Sequence, residues 1–336
     1  MRKGTFFTSR NYLENIQFDL NNPVTNRDNC LYPAYLLRQR FMEAGLDLST
    51  QDINPPHEAE FVIYNEMPLR GIELAGERKY VILLECEAIK PDNWDRGRHR
   101  EFDKIFTWHD GLVDNKRYFK INFSVQFPSV IERVQQAKEK FCVMIVAQKY
   151  VRHPQELYTE RVRAIRWFEE NHPSEFDLYG MGWDRFVFSG AMKKLNKLDF
   201  LTRALKPDFP SYRGRIDLKK EVLKKYKFAI CYENAQGIPG YITEKIFDCF
   251  FAGCVPIYWG PPNVTEHIWP DTFIAKNRFK TYEALYEYLN GMSETEYNGY
   301  LTAIGEYLKS DQARRFSARY FADTVTSEVL KDFNTN

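Results

Sequence analysis

The sequence predicts a two-domain α/β protein, in which short buried strands alternate with amphipathic helices. The chain has 336 residues, which is enough for two domains of ordinary size. Short runs rich in Val, Ile, Tyr and Phe are typical of buried strands, and segments with apolar residues at helical spacing follow them. The clearest strand–loop–helix–strand unit spans residues 226–260, and such units normally lie in parallel sheets.

This unit divides into four parts. Residues 226–232 are an apolar, aromatic run that predicts a buried strand, and residues 233–240 form a loop with Asn, Gln, Gly and Pro. Residues 242–252 have apolar side chains at helical spacing, and Gly253 is suited to end that helix. A second strand is predicted over residues 254–259. The loop therefore leads from the carboxyl end of a strand to the start of a helix.

The start of that helix is suited to binding an anion. Free N–H groups and the positive end of the helix dipole gather there, and Lys245 adds a full positive charge. The neighbouring Glu244 is better suited to sugar hydroxyls than to a phosphate, so a nucleotide with a ribose and a diphosphate would satisfy both residues. The alternative is that Glu244 is a helix N-terminal charge and Lys245 a solvated one.

The remaining predicted elements also alternate. The first half contains strands and one helix, and the second half contains a strand, a helix, further strands and three closing helices. The strands are expected at residues 4–9, 61–64, 80–84, 102–108, 141–147, 176–179 and 273–275, and the helices at 32–44, 160–171, 281–292, 294–310 and 313–331. A polar helix over residues 129–140 is expected to lead into the second domain, and residues 184–218 are expected to form a basic loop.

Composition and charge exclude several classes of protein. A net charge of +1 argues against a dedicated nucleic-acid binder. The six Cys form no C-x-x-C pair, which argues against a zinc site and a disulfide framework and fits a reducing compartment. The sequence has neither the apolar block of a signal peptide nor a spanning apolar segment. It also has no D-x-D triplet, so we expect no metal and no other cofactor.

One stretch of the sequence, residues 232–260 (YENAQGIPGYITEKIFDCFFAGCVPIYWG), resembles the donor-binding signature of the α1,3/α1,4-fucosyltransferases of glycosyltransferase family 10. The resemblance implies an α/β fold of the GT-B type, with two Rossmann-like domains facing each other across a cleft. It implies an acceptor-side domain over residues 1–140, a GDP-fucose domain over 141–310 and a C-terminal helix over 311–336. Because the chain shows no membrane anchor, it resembles a bacterial, cytoplasmic form of the family.

In the first domain, the resemblance assigns the general base. Glu85 directly follows the strand predicted at 80–84, at the sheet edge where open α/β folds place their ligands. The segments LLECEAIKP and FDKIFTWHD resemble the family's first domain, where a Glu after a strand is the proposed base. Glu85 takes that position, with Glu87 as the alternative. From position alone, Glu85 could equally be a rim charge that pairs with a neighbouring cation.

In the second domain, the resemblance assigns the donor contacts. An Arg at the head of the 160–171 helix contacts the donor phosphates in the family, which implies Arg161, with Arg163 as the alternative. Lys245 would stabilise the diphosphate and Glu244 would hold the ribose. Tyr241 would pack near the phosphates or the fucose, and Asn234 is a weaker candidate for donor contact.

The implied function is an inverting transfer of L-fucose from GDP-β-L-fucose to an acceptor glycan containing N-acetylglucosamine, or to glucose, with an α1,3 or α1,4 linkage. The expected partners are GDP-fucose and an oligosaccharide or lipid-linked glycan, with possible peripheral association at the inner membrane and no nucleic acid. The alternatives are another GDP-deoxyhexose donor on the same fold, and a nucleotide-sugar binding protein without catalysis. The acceptor glycan and the oligomeric state stay open at the level of sequence.

Overall fold

The computed structural model describes residues 2–129, 138–188 and 190–333, and their contacts divide the chain into two compact units. The first unit contains residues 1–129, 238–244 and 310–336, and the second contains 130–237 and 245–309. Most of the predicted connecting helix at 129–140 falls on residues 130–137, which lie outside the described residues. The units differ from the predicted domains, because the loop at 238–244 and the C-terminal segment both join the first unit.

A parallel sheet forms the centre of the first unit. Its strands are β1 Arg2–Phe7, β2 Leu46–Thr50, β3 Phe61–Asn65, β4 Arg78–Leu83, β5 Lys104–Thr107 and β6 Tyr118–Lys120. They lie in the order β2-β1-β3-β4-β5-β6, and every neighbouring pair is parallel. Helix α1, Tyr32–Glu43, follows β1 and buries Leu37 and Phe41. Four strands and α1 correspond to predicted elements, whereas β2 and β6 were not predicted.

The second unit contains another parallel sheet, with the order β11-β10-β9-β7-β8. Its strands are β7 Lys140–Ile145, β8 Phe176–Tyr179, β9 Tyr226–Tyr232, β10 Val255–Trp259 and β11 Ile274–Ala275. Its helices are α2 Tyr158–Asn171, α3 Asp199–Ala204, α4 Lys219–Leu223, α5 Glu244–Phe251, α6 Val264–His267, α7 Tyr282–Asn290 and α8 Glu294–Tyr307. Glu244, the first residue of α5, is grouped with the first unit. The predicted loop at 184–218 is partly helical, because it contains α3 and a 3-10 helix, Gly190–Lys197.

The C-terminal segment returns to the first unit. Helix α9, Asp311–Arg314, is followed by α10, Ala318–Lys331. Phe321, Val325 and Val329 of α10 are buried in the same apolar cluster as Phe41 of α1 and Phe61 of β3. The C-terminal helix is therefore part of the first unit's core and not a separate appendage.

Candidate functional site

The order of strands in the second sheet marks a position for a ligand. From β7 the chain moves outward to β8, then returns to the other side of β7 and continues through β9, β10 and β11. The strand order thus reverses between β7 and β9. In open parallel sheets, ligands bind at the carboxyl ends of the strands on either side of such a reversal. Helix α2 follows β7 and helix α5 follows β9, so both helices begin at this edge of the sheet.

Backbone hydrogen bonds join the two segments at this edge. The Leu157 N–H, just before α2, donates to the Asn234 carbonyl at 3.1 Å. The Gln236 N–H donates to the Gln155 carbonyl at 2.8 Å. The loop after β9, which the sequence singled out, is therefore fixed to the segment that leads into α2.

Arg161 lies buried beneath this loop. Its Nη2 donates to the carbonyls of Tyr232 and Glu233, at 2.7 and 2.8 Å, and to the Asn234 Oδ1 at 3.1 Å. Its guanidinium carbon lies 4.5 Å from the centre of the Tyr158 ring, a distance typical of a cation–π contact. The Nε is buried and has no hydrogen-bond partner among the described residues. Arg161 therefore shapes the loop through its carbonyl oxygens and brings a positive charge to the reversal point.

Arg163 points elsewhere. Its side chain is 66% exposed and pairs with Glu160 one turn back on the same helix. Of the two arginines that the sequence left as alternatives, only Arg161 faces the loop after β9. The assignment of Arg161 to the donor phosphates stays a prediction.

Lys245 forms an ion pair with a buried carboxylate. Its Nζ lies 3.3 Å from Glu233 Oε2, and the Glu233 side chain is completely buried. The Tyr258 hydroxyl of β10 donates to Glu233 Oε1 at 3.0 Å. Glu233 therefore holds the Lys245 ammonium close to the end of β9. Sequence analysis did not single out Glu233, and the only signal for it was its position directly after that strand.

The first turn of α5 has the predicted composition. Glu244 is the first helical residue, two positions later than the predicted start, and Lys245 follows it. Both are partly exposed, while Thr243 just before them is buried. The helix begins at the end of the loop, so its first N–H groups lie beside these two charged side chains. This placement agrees with the expected anion-binding helix start, and the ribose role of Glu244 stays a prediction.

Tyr241 packs into the first unit. Its ring is fully buried, 4.6 Å from the Trp108 ring and 6.2 Å from the Phe123 ring between centroids. The preceding Gly240 has φ +83°, and a Cβ there would lie 2.4 Å from the Trp108 carbonyl oxygen. Only glycine fits this close approach. The structure therefore shows Tyr241 as a core residue, and its predicted role near the donor stays a prediction.

Glu85 lies at the carboxyl edge of the first sheet, two residues beyond the end of β4. It is partly buried, whereas Glu87 is exposed. The Glu85 backbone is held on both sides: its N–H donates to Glu66 Oε1 at 2.8 Å, and its carbonyl accepts from the Trp94 indole at 3.1 Å. The position predicted from the sequence is confirmed, and the choice between Glu85 and Glu87 as the base stays a prediction.

Two further residues at this edge were missed by sequence analysis. Trp108 follows β5, is completely buried, and donates from its indole to the Leu84 carbonyl at 2.6 Å. Its neighbour His109 has a pKa held below the usual value by burial, which favours the neutral imidazole. Both lie in the FDKIFTWHD segment, whose resemblance to the family was the available signal.

No group of three or more His, Cys, Asp or Glu side chains that could hold a metal ion occurs within residues 2–129, 138–188 and 190–333. In the same part of the chain, the helices are too short or too polar to cross a membrane.

The chain was compared with known protein families and curated proteins. Residues 160–319 match the family model described as glycosyltransferase family 10 (fucosyltransferase), C-terminal. An α-(1,3)-fucosyltransferase of Helicobacter pylori is 41% identical over 88 residues, which is 26% of this chain and 18% of that protein. Residues 160–319 are thus similar to the C-terminal domain of glycosyltransferase family 10. The matched region covers α2 from residue 160 onward, β8 to β11, the loop after β9 and α5.

The matches to curated fucosyltransferases are partial. A putative fucosyltransferase of Acanthamoeba polyphaga mimivirus is 32% identical over 186 residues, which is 55% of this chain and 29% of that protein. The chain thus spans less than a third of the length of these relatives.

A solved structure agrees with the fold. An α1,3-fucosyltransferase with GDP-fucose superposes with a TM-score of 0.56 and 17% identity, covering 97% of this chain and 89% of that one. The likeness, together with the two parallel sheets, identifies the GT-B fold expected from the sequence.

Proposed function

We propose that this chain transfers L-fucose from GDP-β-L-fucose to a hydroxyl group of a glycan, with inversion at the anomeric carbon. The observation that carries the proposal is the strand reversal between β7 and β9, where Arg161, Lys245 and the starts of α2 and α5 gather at one sheet edge. Two helix N-termini and two cations are suited to a diphosphate. The GDP-fucose in the solved relative supports the same donor for this chain.

The proposed reaction is a single displacement. The acceptor oxygen forms a bond to the anomeric carbon while the bond from that carbon to the β-phosphate oxygen breaks, and its electron pair leaves with GDP. Glu85 takes the proton of the acceptor hydroxyl as the new bond forms. Fucose is therefore attached with inverted configuration, and the products are an α-linked fucoside and GDP.

The departing diphosphate gains negative charge, which Arg161, Lys245 and the first turn of α5 are placed to stabilise. We assign the ribose to Glu244 and weaker donor contacts to Asn234 and Tyr241. Since the sequence has no D-x-D triplet, we propose that these protein groups perform the stabilisation without a metal ion.

The acceptor proposed is a glycan with N-acetylglucosamine or glucose, linked α1,3 or α1,4. A panel of GDP-sugars and glycans, with the linkage determined by NMR, tests donor and acceptor together. We expect GDP-fucose to be used at least tenfold faster than other GDP-deoxyhexoses. Faster transfer from another GDP-deoxyhexose would replace the donor, and donor binding without any transfer would favour a non-catalytic binding protein.

A surface over residues 192–206 supports peripheral association with an anionic membrane. Phe200 is 73% exposed, and Met192, Leu198 and Leu205 are also largely exposed. Exposed basic side chains lie among them: Lys194, Lys197, Arg203 and Lys206. Apolar and basic groups together favour anionic lipid surfaces. Sedimentation with phosphatidylglycerol vesicles, compared with phosphatidylcholine vesicles, tests this association, and equal recovery with both would contradict it.

A further inference from the structure

Glu66 lies immediately after β3 and has an unusual backbone conformation. Its φ is +73°, in the left-handed region that residues other than glycine rarely adopt. Its N–H is bound to the Ile82 carbonyl of β4 at 2.9 Å, which fixes the turn against the neighbouring strand. Such a conformation persists only where the surrounding structure holds it in place.

The Glu66 carboxylate binds the backbone on which the predicted base stands. Its Oε1 accepts hydrogen bonds from the N–H groups of Leu84 and Glu85, at 3.2 and 2.8 Å. Its Oε2 accepts from the Asn93 side-chain amide. These three contacts come from N–H donors, so they fit the ionised carboxylate.

Asn93 extends these contacts to both sides of Glu85. It is completely buried; its Nδ2 also donates to the Glu85 carbonyl at 3.1 Å, and its Oδ1 accepts from the Met67 N–H at 3.0 Å. The Glu85 peptide is therefore held at its N–H by Glu66 and at its carbonyl by Asn93. Asn93 is itself held by Glu66, so the three residues form one connected network.

We propose, building on the fucosyl transfer proposed above, that Glu66 is a positioning residue: its carboxylate holds the Leu84–Glu85 backbone so that the Glu85 side chain keeps the orientation needed to take the acceptor's proton. Glu66 contacts neither reacting atom in this proposal and acts through Glu85. The geometry of three donors around one carboxylate carries the inference.

The pKa of Glu66 makes its ionisation accessible to measurement near neutral pH. Burial, and to a smaller extent the Glu85 charge, raise the pKa of Glu66 to about 7, although the hydrogen bonds from Asn93 and the Glu85 backbone lower it. Two other ionisable side chains contact the backbone of these segments: His99 contacts the Asn93 carbonyl oxygen, and Arg98 donates to the Pro68 carbonyl.

The test compares Glu66→Gln with the full-length wild type. Gln keeps the size of the side chain, but its amide nitrogen cannot accept one of the three N–H groups. We expect hydrogen exchange of the peptide containing Leu84 and Glu85 to accelerate at least threefold, measured without donor or acceptor. We also expect kcat to fall by roughly tenfold to a hundredfold, with GDP-fucose affinity unchanged.

The pH–rate profile separates positioning from a merely structural role. The pKa of Glu66 is about 7 and its three N–H contacts fit the ionised form, so wild-type kcat should rise through neutral pH as Glu66 ionises, and Glu66→Gln should lose that rise. Glu58→Gln is the matched control, because Glu58 is an exposed glutamate of the same unit that pairs with Lys3. It should leave exchange, kcat and the profile unchanged.

The outcomes are distinct. Unchanged exchange of the Leu84–Glu85 peptide, or an unchanged kcat with the same pH profile as the wild type, would overturn the proposal. If Glu66→Gln does not fold, Asn93→Ser removes the second contact to the same backbone and should accelerate the same exchange. A wild type that transfers no fucose would contradict the proposed function, while the exchange measurement would still decide whether Glu66 holds this segment.

Discussion

At the scale of single residues, burial separates alternatives that local sequence leaves open. Arg161 and Arg163 both lie near the start of α2, yet Arg161 is 4% exposed beneath the loop and Arg163 is a surface residue. Glu85 and Glu87 differ in the same way, since only Glu85 is partly enclosed at the end of β4. In both pairs, the more buried member is the one that the proposed reaction uses.

Glu85→Gln tests the proposed base. Gln keeps the shape and much of the hydrogen bonding of the side chain but cannot take the acceptor's proton. We expect transfer to fall by roughly 10²–10⁴-fold with GDP-fucose affinity nearly intact, as measured by steady-state kinetics and calorimetry. Glu87→Gln is the control and should do much less. If only Glu87→Gln abolished transfer, the base would lie two residues further along the chain.

Lys245→Ala tests the stabilisation of the diphosphate. The substitution removes a cation from the start of α5, so GDP affinity should fall by about 10- to 100-fold, measured by calorimetry. It also leaves the fully buried Glu233 without its ammonium partner, so the melting temperature should fall.

Glu233→Gln is the matched control for this pair. It removes the buried charge, keeps an acceptor for the Tyr258 hydroxyl and leaves Lys245 in place. We expect GDP affinity to be kept or increased. Normal GDP binding by Lys245→Ala would mean that Lys245 acts only as the counter-ion of Glu233.

At the scale of elements, α10 shows how a distant segment completes a core. Its apolar face packs into the first unit, and an ion pair adds to this packing. Lys104 Nζ of β5 lies 2.7 Å from Asp332 Oδ1, just beyond the end of the helix. The Tyr80 hydroxyl of β4 donates to the other oxygen of Asp332 at 2.8 Å. Two strands and α1 thus contact one C-terminal helix, which explains why this segment groups with the first unit.

Val325→Ala tests this packing. Val325 is completely buried in the first unit, so the loss of two methyl groups should lower the free energy of unfolding by about 1.5–3 kcal/mol. Chemical denaturation followed by circular dichroism measures the change. Tyr320→Ala on the exposed side of α10 is the control and should change stability by about 0.5 kcal/mol or less. Equal effects of both substitutions would contradict the assignment of Val325 to the core.

At the scale of the whole molecule, the two units are discontinuous in sequence. The chain enters the first unit three times, at its start, at residues 238–244 and at 310–336. The middle segment connects β9 to α5, and it includes Tyr241 and Gly240, whose contacts lie in the first unit. Part of the donor signature therefore belongs structurally to one unit and part to the other.

The absence of a D-x-D triplet leads to a prediction for the complete protein. Transfer from GDP-fucose should persist in excess EDTA, because Arg161, Lys245 and the start of α5 are proposed to stabilise the departing diphosphate. Initial rates with and without EDTA, at matched ionic strength, should agree within about twofold. Loss of transfer in EDTA followed by recovery on addition of manganese would overturn the metal-free proposal.

The sequence by itself determined the class of fold and the most informative stretch of the chain. Hydrophobic periodicity placed most strands and helices within a few residues, because strand and helix spacing are local properties. It missed β2 and β6, and it interpreted residues 184–218 as a loop where α3 and a 3-10 helix occur. The donor signature was visible because its residues are contiguous along the chain.

Only the tertiary structure decided which side chains meet. Glu66 follows β3, whereas Glu85 and Asn93 lie in the segment that connects β4 to β5. Nothing in their local sequence predicts that the Glu66 carboxylate binds the backbone of Glu85. Glu233 is likewise visible as a counter-ion only after β9 and α5 bring it to Lys245. Burial and hydrogen bonding depend on residues far apart in the chain, so these relationships arise only when the sheets assemble.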